Sequence, residues 1–553
     1  MKNPLRDALH VRGSAAGAWC PRRLGALAAA VGLLACLTAC GGDDTVVATA
    51  TDISWKTAAA SGGDTTNFEG SQSSTGFDTP APNLAALALE MHRFGDSEFE
   101  RQFIKAPSAQ FPAFDGLGPA FNNSSCIACH VRDGRANYPV GVLAGAGQAA
   151  PIRLDASAGA FLRISVESGA DCVPAAGNDF CAPVPVPGFS GQLFHRGVLD
   201  LRTDSVFSGQ ADVWLSFVIA DTVELDGITT PLRRPVAEIR NPYDAPGQTA
   251  GENAASRLLA ADVRTSLRIG PPVFGSGLLE AIPEADILAL ADPDDANGDG
   301  ISGRPNRVLD PVAIARGEVP GPVLGRFGWK AGTPSVQAQG TGAYRNDMGI
   351  TSYLFPTESI AGTALHDDYR TRHPGDDGQA ASGHEVAEDV VKAVMFYTAT
   401  LAVPARRNVD DPAVRAGADT FEMIGCASCH VPTFRTGSHP GIWGPGGNVA
   451  VPEVGSQIIH PYTDMLLHDM GDGLADGRTE FLANGREWRT RPLWGLGLTH
   501  TVNPLAGFLH DGRAATIDEA ILWHGGEARA ARDRFVGLDA ATRAGLRAFL
   551  HSL

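Results

Sequence analysis

Cys-x-x-Cys-His occurs twice, at Cys126–His130 and at Cys426–His430, and this pair restricts the fold more than any other feature of the 553 residues. Two thiols about one helical turn apart can add to the two vinyl groups of a single haem, while the His that follows reaches the iron from below. Each copy therefore reads as a covalent haem c site. Cys126 and Cys129 would hold one group, Cys426 and Cys429 the other, with His130 and His430 as iron ligands. A thioredoxin-like redox pair or half of a zinc site would account for the cysteines, but not for the adjoining His in both copies.

The amino terminus fits export. Lys2, Arg6, Arg12, Arg22 and Arg23 precede an apolar run from Leu24 to Leu37, too short to span a bilayer permanently but suited to a secretory signal. Residues 1–39 read as that signal, and Leu37-Thr38-Ala39-Cys40 resembles a lipoprotein processing site that would leave Cys40 lipidated. Ordinary cleavage near Ala39 is the alternative. Either way the expected location is outside the cytoplasm, with lipidation placing the protein in the periplasm or on the outer membrane. Of nine cysteines, Cys20 and Cys36 leave with the signal, and Cys172 and Cys181 are the pair without another role. In an oxidising compartment they are expected to close a short loop as a disulfide.

The formal charge of −18 falls to about −22 once the signal, with five basic residues and Asp7, is gone. Such a chain does not bind nucleic acid. The acidity either steers a basic partner, such as a small cytochrome donor, or only maintains solubility.

Composition divides the remainder. Residues 40–82 are rich in Ser, Thr, Gly, Ala and Asp and read as a flexible tether. An N-terminal haem domain is expected over 83–404, interrupted by a strand-containing insertion over about 150–320. There Val213, Leu215, Phe217 and Ile219 alternate, and Asp226-Gly227 offers a tight hairpin turn before Ile228. Asp295, Asn297 and Asp299, with Gly300, match the first half of an EF-hand-like loop, although position twelve is Asn306 rather than Glu. Bound calcium and a solvated acidic turn are both consistent with it. A helical pattern over 385–400 ends before Pro404, and a compact C-terminal haem domain is expected over 405–553, with Phe421 in its attachment helix.

Phe327-Gly-Trp329-Lys330, Gln339, Asn346-Asp347-Met348-Gly349 and Ile301-Ser-Gly-Arg-Pro-Asn-Arg307, together with the two haem motifs, resemble the bacterial di-haem cytochrome c peroxidase superfamily, which includes the MauG-type enzymes. The likeness covers roughly 85–553. It is narrowest to the di-haem oxidoreductase branch, often labelled thiol oxidoreductases, though no cysteine is left here for thiol chemistry. The resemblance implies a mainly α fold of two cytochrome c-like domains. It also implies peroxide reduction at the N-terminal haem, with electrons supplied through the C-terminal one. In those terms Trp329 matches the tryptophan between the haems. Asp347 matches the acid–base carboxylate, one methylene shorter and two residues early. As bare residues, Trp329 could equally be a core aromatic and Asp347 a helix cap or solvated acid. MauG-like or oxygenase-type oxidation of a protein or organic substrate, and a plain electron-transfer role, are the rival functions.

No His or Met occurs between Val131 and Phe194, so the first haem is expected to keep an open or weakly held position, with His92, His195 and Met348 as the residues that could close it. For the second, Thr516 and Glu519 form a capping box, and Ile517, Ala520, Ile521 and His524 share one helical face. His524 is thus the expected ligand opposite His430, with His468, Met465, Met470 and His510 as alternatives.

Overall fold

The computed structural model describes residues 54–70, 72–137, 150–154, 159–167, 182–198, 209–243, 257–319, 321–374 and 383–553. The signal, Cys40 and the Cys172–Cys181 pair lie outside them. Helices occupy 30% of the chain and strands 19%, which corrects the mainly α expectation. The cause lies in the chain itself: 65 Gly and 37 Pro keep helices short, and loops pair with one another instead. Among the described residues there are five two-stranded ladders and two three-stranded sheets.

The longer helices follow local signals. Those that bear on the site are, in chain order, α1 (Ala86–Glu100), α2 (Val336–Asp347), α3 (Glu388–Thr400), α4 (Pro412–Met423), α5 (Ile517–Leu522) and α6 (Ala540–Ser552). Ser335 caps α2 by accepting from Ala338 N at 3.0 Å, and Asp411 caps α4, where Pro412 supplies a preset first turn. Helix α1 lies along α3, with Phe99 and Tyr397 rings 5.4 Å apart. Helix α4 crosses α6 at Gly417, where a Cβ would sit 2.0 Å from Gly545 O. No other side chain fits that crossing without a shift.

The longer strands are β1 (Ala160–Val166), β2 (Asp212–Leu225), β3 (Ile228–Arg240) and β4 (Val263–Ile269). The hairpin β2–β3 turns at Asp226 (φ 53°) and Gly227 (φ 78°), as the Asp-Gly pair requires. Val213, Leu215 and Phe217 are buried as their alternation indicates. Ile219 keeps the same register but is 60% exposed, because the hairpin runs out past the core there, and a bulge follows between Ile219 and Asp221. Strand β1 pairs along its length with β4 and carries that strand towards the first Cys-x-x-Cys-His turn.

The stretch from Ser54 to Pro82 is core rather than tether. Phe77 is 1% exposed and stacks on Phe274 at 4.3 Å, Trp55 packs edge-on against Phe421, Tyr462 and Phe549, and Thr66–Asn67 pairs in parallel with Val403–Pro404. Polar composition concealed a few well-placed aromatics. The main apolar clusters also cross residue 404: one joins Phe77, Tyr344 and Tyr397 to Met465 and Trp494, the other joins Leu162 and Trp329 to Phe421 and Phe549.

Phe77→Ala should therefore cost about 3–5 kcal/mol in a denaturant titration of the purified protein, as for any buried Phe. A tether residue would cost nothing measurable.

Candidate functional site

The first motif closes one side of an enclosed cavity of about 340 Å³. His130 Nδ1 donates to Pro271 O at 2.6 Å; a carbonyl can only accept, so Nε2 is left as the free lone pair. Pro271 follows β4 directly. Gly270 lies so close to the motif that a Cβ would sit 2.2 Å from Cys129 O. The inserted sheet is thus a wall of this site. Asn123 Nδ2 lies 3.2 Å from Cys129 Sγ, and burial pushes both the Cys126 and Cys129 thiols up to about 12.

Helix α2 forms another wall and ends at Asp347, which opens onto the cavity. Burial raises the Asp347 carboxyl above its ordinary value, against the opposing charge of Arg163 and a hydrogen bond from Gln192. Gln192 Nε2 lies 2.6 Å from Asp347 Oδ1 and 2.5 Å from Asn122 Oδ1, and the Asn122 amide continues to His195 Nδ1 at 2.7 Å. Asp347 is therefore held from behind by a buried amide of the insertion. Trp329 lines the same cavity, 5% exposed, with Nε1 donating to Ile269 O at 2.9 Å. The guanidinium of Arg491 lies 4.8 Å from its ring centroid and that of Arg135 5.9 Å.

The cavity fits the group its motif implies. Cys126 and Cys129 supply the thiols and His130 the nitrogen. Arg135, Arg489 and Arg491 line the space with no carboxylate at ion-pair distance among the described residues, and burial lowers the pKa of each. Enclosed guanidinium groups call for anionic partners, and haem propionates are of that kind. Among residues that could close the open position, His92 is bonded to Thr400 and His195 to Asn122, and neither lines the cavity. Met348 does, at 2% exposure.

The second motif repeats the orientation of its His. His430 Nδ1 donates to Tyr462 O at 2.9 Å. Thr516 accepts from Glu519 N at 3.1 Å and starts α5, and His524 follows this helix with Nδ1 donating to Ala520 O at 2.8 Å. Both rings thus keep Nε2 free. His524 lies near enough to His430 for its charge to depress the His430 pKa, which burial already takes down to about 4.

Three of the four alternatives are otherwise engaged, and Met470 packs against the apolar cluster that holds Phe421. His468 is clamped between Asp464 Oδ2 and Glu527 Oε2, each at 2.7 Å, Met465 Sδ lies 3.3 Å from Arg489 Nη1, and His510 stacks on Trp488 at 3.7 Å. Burial alone would lower the His468 pKa. Its bonds to Asp464, Cys429 and Glu527 outweigh that and raise it well above the ordinary value.

The acidic loop forms Asx-type turns, with Asp295 Oδ1 accepting from Gly300 N at 3.1 Å and Asn297 Oδ1 from Asp299 N at 2.8 Å. Asn306 points away, bonded to Lys330 O and Glu480 O. Among the described residues the one group of three His, Cys, Asp or Glu side chains with ligand atoms within 4.8 Å of one another is Cys429, Asp464 and His468. Gln192, Glu527 and the arginines carried no local sequence signal. They come from segments far apart in the chain and meet only in the fold.

A family model described as "Di-haem oxidoreductase, putative peroxidase" matches residues 55–553. A search of curated proteins returned no match. One similar solved structure is the hydrazine synthase of Kuenenia stuttgartiensis, pressurised with 20 bar xenon. It is 18% identical over 34% of this chain and 62% of that chain, less than two thirds of its length. The TM-score of 0.19 is too low to carry an argument about fold or function.

Two outcomes follow from the second site. His524→Ala should convert its iron from a low-spin to a high-spin absorption spectrum, whereas His468→Gln should leave the spin state unchanged. His468 binds its proton more tightly folded than unfolded, so its stabilisation is full below the ordinary His value of 6.5 and is lost as pH rises through the raised folded value. Urea midpoints should consequently fall between neutral and alkaline pH more steeply for the native protein than for His468→Gln.

Proposed function

The chain belongs to the di-haem oxidoreductase family, and from that premise we propose that it is a peroxidase, reducing hydrogen peroxide in the His130 cavity with electrons passed through the His430 site. The observation that carries the reading is the placement of Asp347, a carboxylate with a raised pKa, on the same cavity as Cys126, Cys129, His130 and Trp329. Haem c bound through the two cysteine pairs supplies an iron that accepts a small oxidant in one site and stores or passes electrons in the other.

The protein's own groups have separable tasks. Asp347 takes the proton from the near oxygen of peroxide and returns it to the leaving oxygen, the usual division for one general acid–base group. Gln192 fixes the carboxylate orientation, so a shorter side chain than Glu is aimed by its neighbour. Phe99, Phe327 and Tyr344 line the apolar part of the cavity and limit water. Trp329 belongs both to this wall and to the apolar cluster that holds Phe421 and packs against Cys426, a position suited to passing charge between sites. His430 and His524, each with Nδ1 engaged, would hold the second iron through their free Nε2 atoms. Export, lipid attachment at Cys40 and a small basic cytochrome as donor complete the proposal.

One observation favours a second reading. Met348 lines the first cavity, and a thioether bound to the iron there would make the protein an electron carrier. Addition of peroxide to the oxidised protein decides between them: a peroxidase changes its high-spin spectrum, and a carrier has two low-spin sites that ignore peroxide.

Asp347→Asn should lower kcat/KM for peroxide by roughly 100- to 10,000-fold. Its folded stability at neutral pH should be unchanged or higher, because ionising a carboxyl whose folded pKa is raised costs stability above its ordinary value. In the native enzyme the rate should be lost as pH drops through a value above that of a free aspartate, because the ionised carboxylate is the form that takes the proton, and this limb should vanish in Asp347→Asn. Trp329→Phe should slow electron transfer between the sites while leaving peroxide binding unchanged, as read by rapid-mixing absorbance.

A further inference from the structure

A second cavity, of about 460 Å³, lies back to back with the first. Three separate places in the chain contribute neighbouring residues to opposite sides of the partition. Leu279, Phe327, Thr333 and Val336 face the His130 cavity, while Glu280, Arg326, Pro334 and Ser335 face the other. Leu279, Phe327 and Val336 are each at most 7% exposed, so the partition is one layer of packed side chains. The volume is in the range of small-molecule sites.

The second cavity is lined by two guanidiniums, Arg316 and Arg326, three carboxylates, Glu280, Glu284 and Asp310, and the indole of Trp443. Arg326 is 9% exposed, donates from Nη1 to Leu279 O at 3.1 Å, and has no carboxylate at ion-pair distance among the described residues. The nearby acids are engaged: Glu284 pairs with Arg307 at 2.7 Å, Asp310 accepts from Val312 N at 2.9 Å, and Glu280 accepts from Val336 N at 2.9 Å. Across the space lies Trp443. Gln337 fixes its backbone from both ends of the side-chain amide, donating to Trp443 O at 2.6 Å and accepting from Trp443 N at 3.0 Å. The Arg316 guanidinium lies 5.7 Å from the indole centroid. An indole face with an enclosed guanidinium still able to donate matches an aromatic ring carrying an acidic oxygen.

We propose that this cavity binds a phenolic acid as a small-molecule electron donor, its carboxylate on Arg326 and its ring against Trp443. The donor role rests on the peroxidase reading. Two phenols each lose one electron and one proton. Hydrogen peroxide takes both electrons and both protons, its O–O bond breaks, and two waters and two phenoxyl radicals leave. Electrons need cross only the Leu279, Phe327 and Val336 layer.

The test uses the haem-loaded protein and ferulate. Without peroxide, calorimetry should show saturable binding of ferulate, weakened about tenfold or more in Arg326→Gln and in Trp443→Leu, and weak for the methyl ester of ferulate. Arg316→Gln, at an exposed position, should weaken it less and keeps the test open should Arg326→Gln fail to fold. With peroxide, the same variants should raise KM for ferulate while leaving turnover with a reduced cytochrome unchanged. Absence of saturable binding, or equal affinity in all variants, overturns the proposal. If a cytochrome supports peroxide turnover and ferulate does not, the inference fails alone. If ferulate binds as expected but no donor supports turnover, the peroxidase reading fails and takes the donor role with it.

Discussion

A single kind of hydrogen bond sets the geometry on which everything else depends: an imidazole Nδ1–H given to a backbone carbonyl. His130 makes it to Pro271, His430 to Tyr462 and His524 to Ala520. Each fixes a ring and leaves the other nitrogen as a ligand, which is the second-shell orientation a metal site needs. The Ala520 carbonyl is local to its helix, but the other two are not. Pro271 lies 141 positions from His130 and is placed there by β4, so the sheet exists, in functional terms, to hold an acceptor beneath the first motif.

That dependence explains why the insertion and the haem motif cannot be treated as separate modules. Strand β4 ends against Cys129, Gln192 reaches Asp347, and Ile269 takes the indole proton of Trp329. A sheet that reads as an appendage is part of the site. Its polar residues are buried in a network where each unmet hydrogen bond would cost about 1–3 kcal/mol, which makes the arrangement rigid as well as specific.

Local patterns were readable where a short motif determines its own geometry. The Cys-x-x-Cys-His turns, the Asp226-Gly227 hairpin, the Thr516–Glu519 cap and the inward-facing His524 are all of that type, as are the helices α1, α3 and α4 near their expected places. What could not be read depends on distant partners. The mainly α expectation failed because loop-to-loop ladders leave no periodicity in a sequence. The tether expectation failed over Ser54–Pro82 because two aromatics, Trp55 and Phe77, outweigh a polar average once a surface exists to receive them. At position twelve of the acidic loop, Asn306 serves Lys330 and Glu480, partners that no local pattern shows. His468 was one of four lesser alternatives to His524, and its ring nitrogens are taken by Asp464 and by Glu527, 59 residues on.

Arg489 has a wider consequence. It lines the first cavity, donates through Nε to Gly328 O, and touches Met465 beside Asp464, the residue that clamps His468 near Cys429. One enclosed positive charge thus borders both compartments, in a medium that screens poorly. A charge placed in either compartment is felt by this shared guanidinium, so the two are joined electrostatically like the plates of one capacitor.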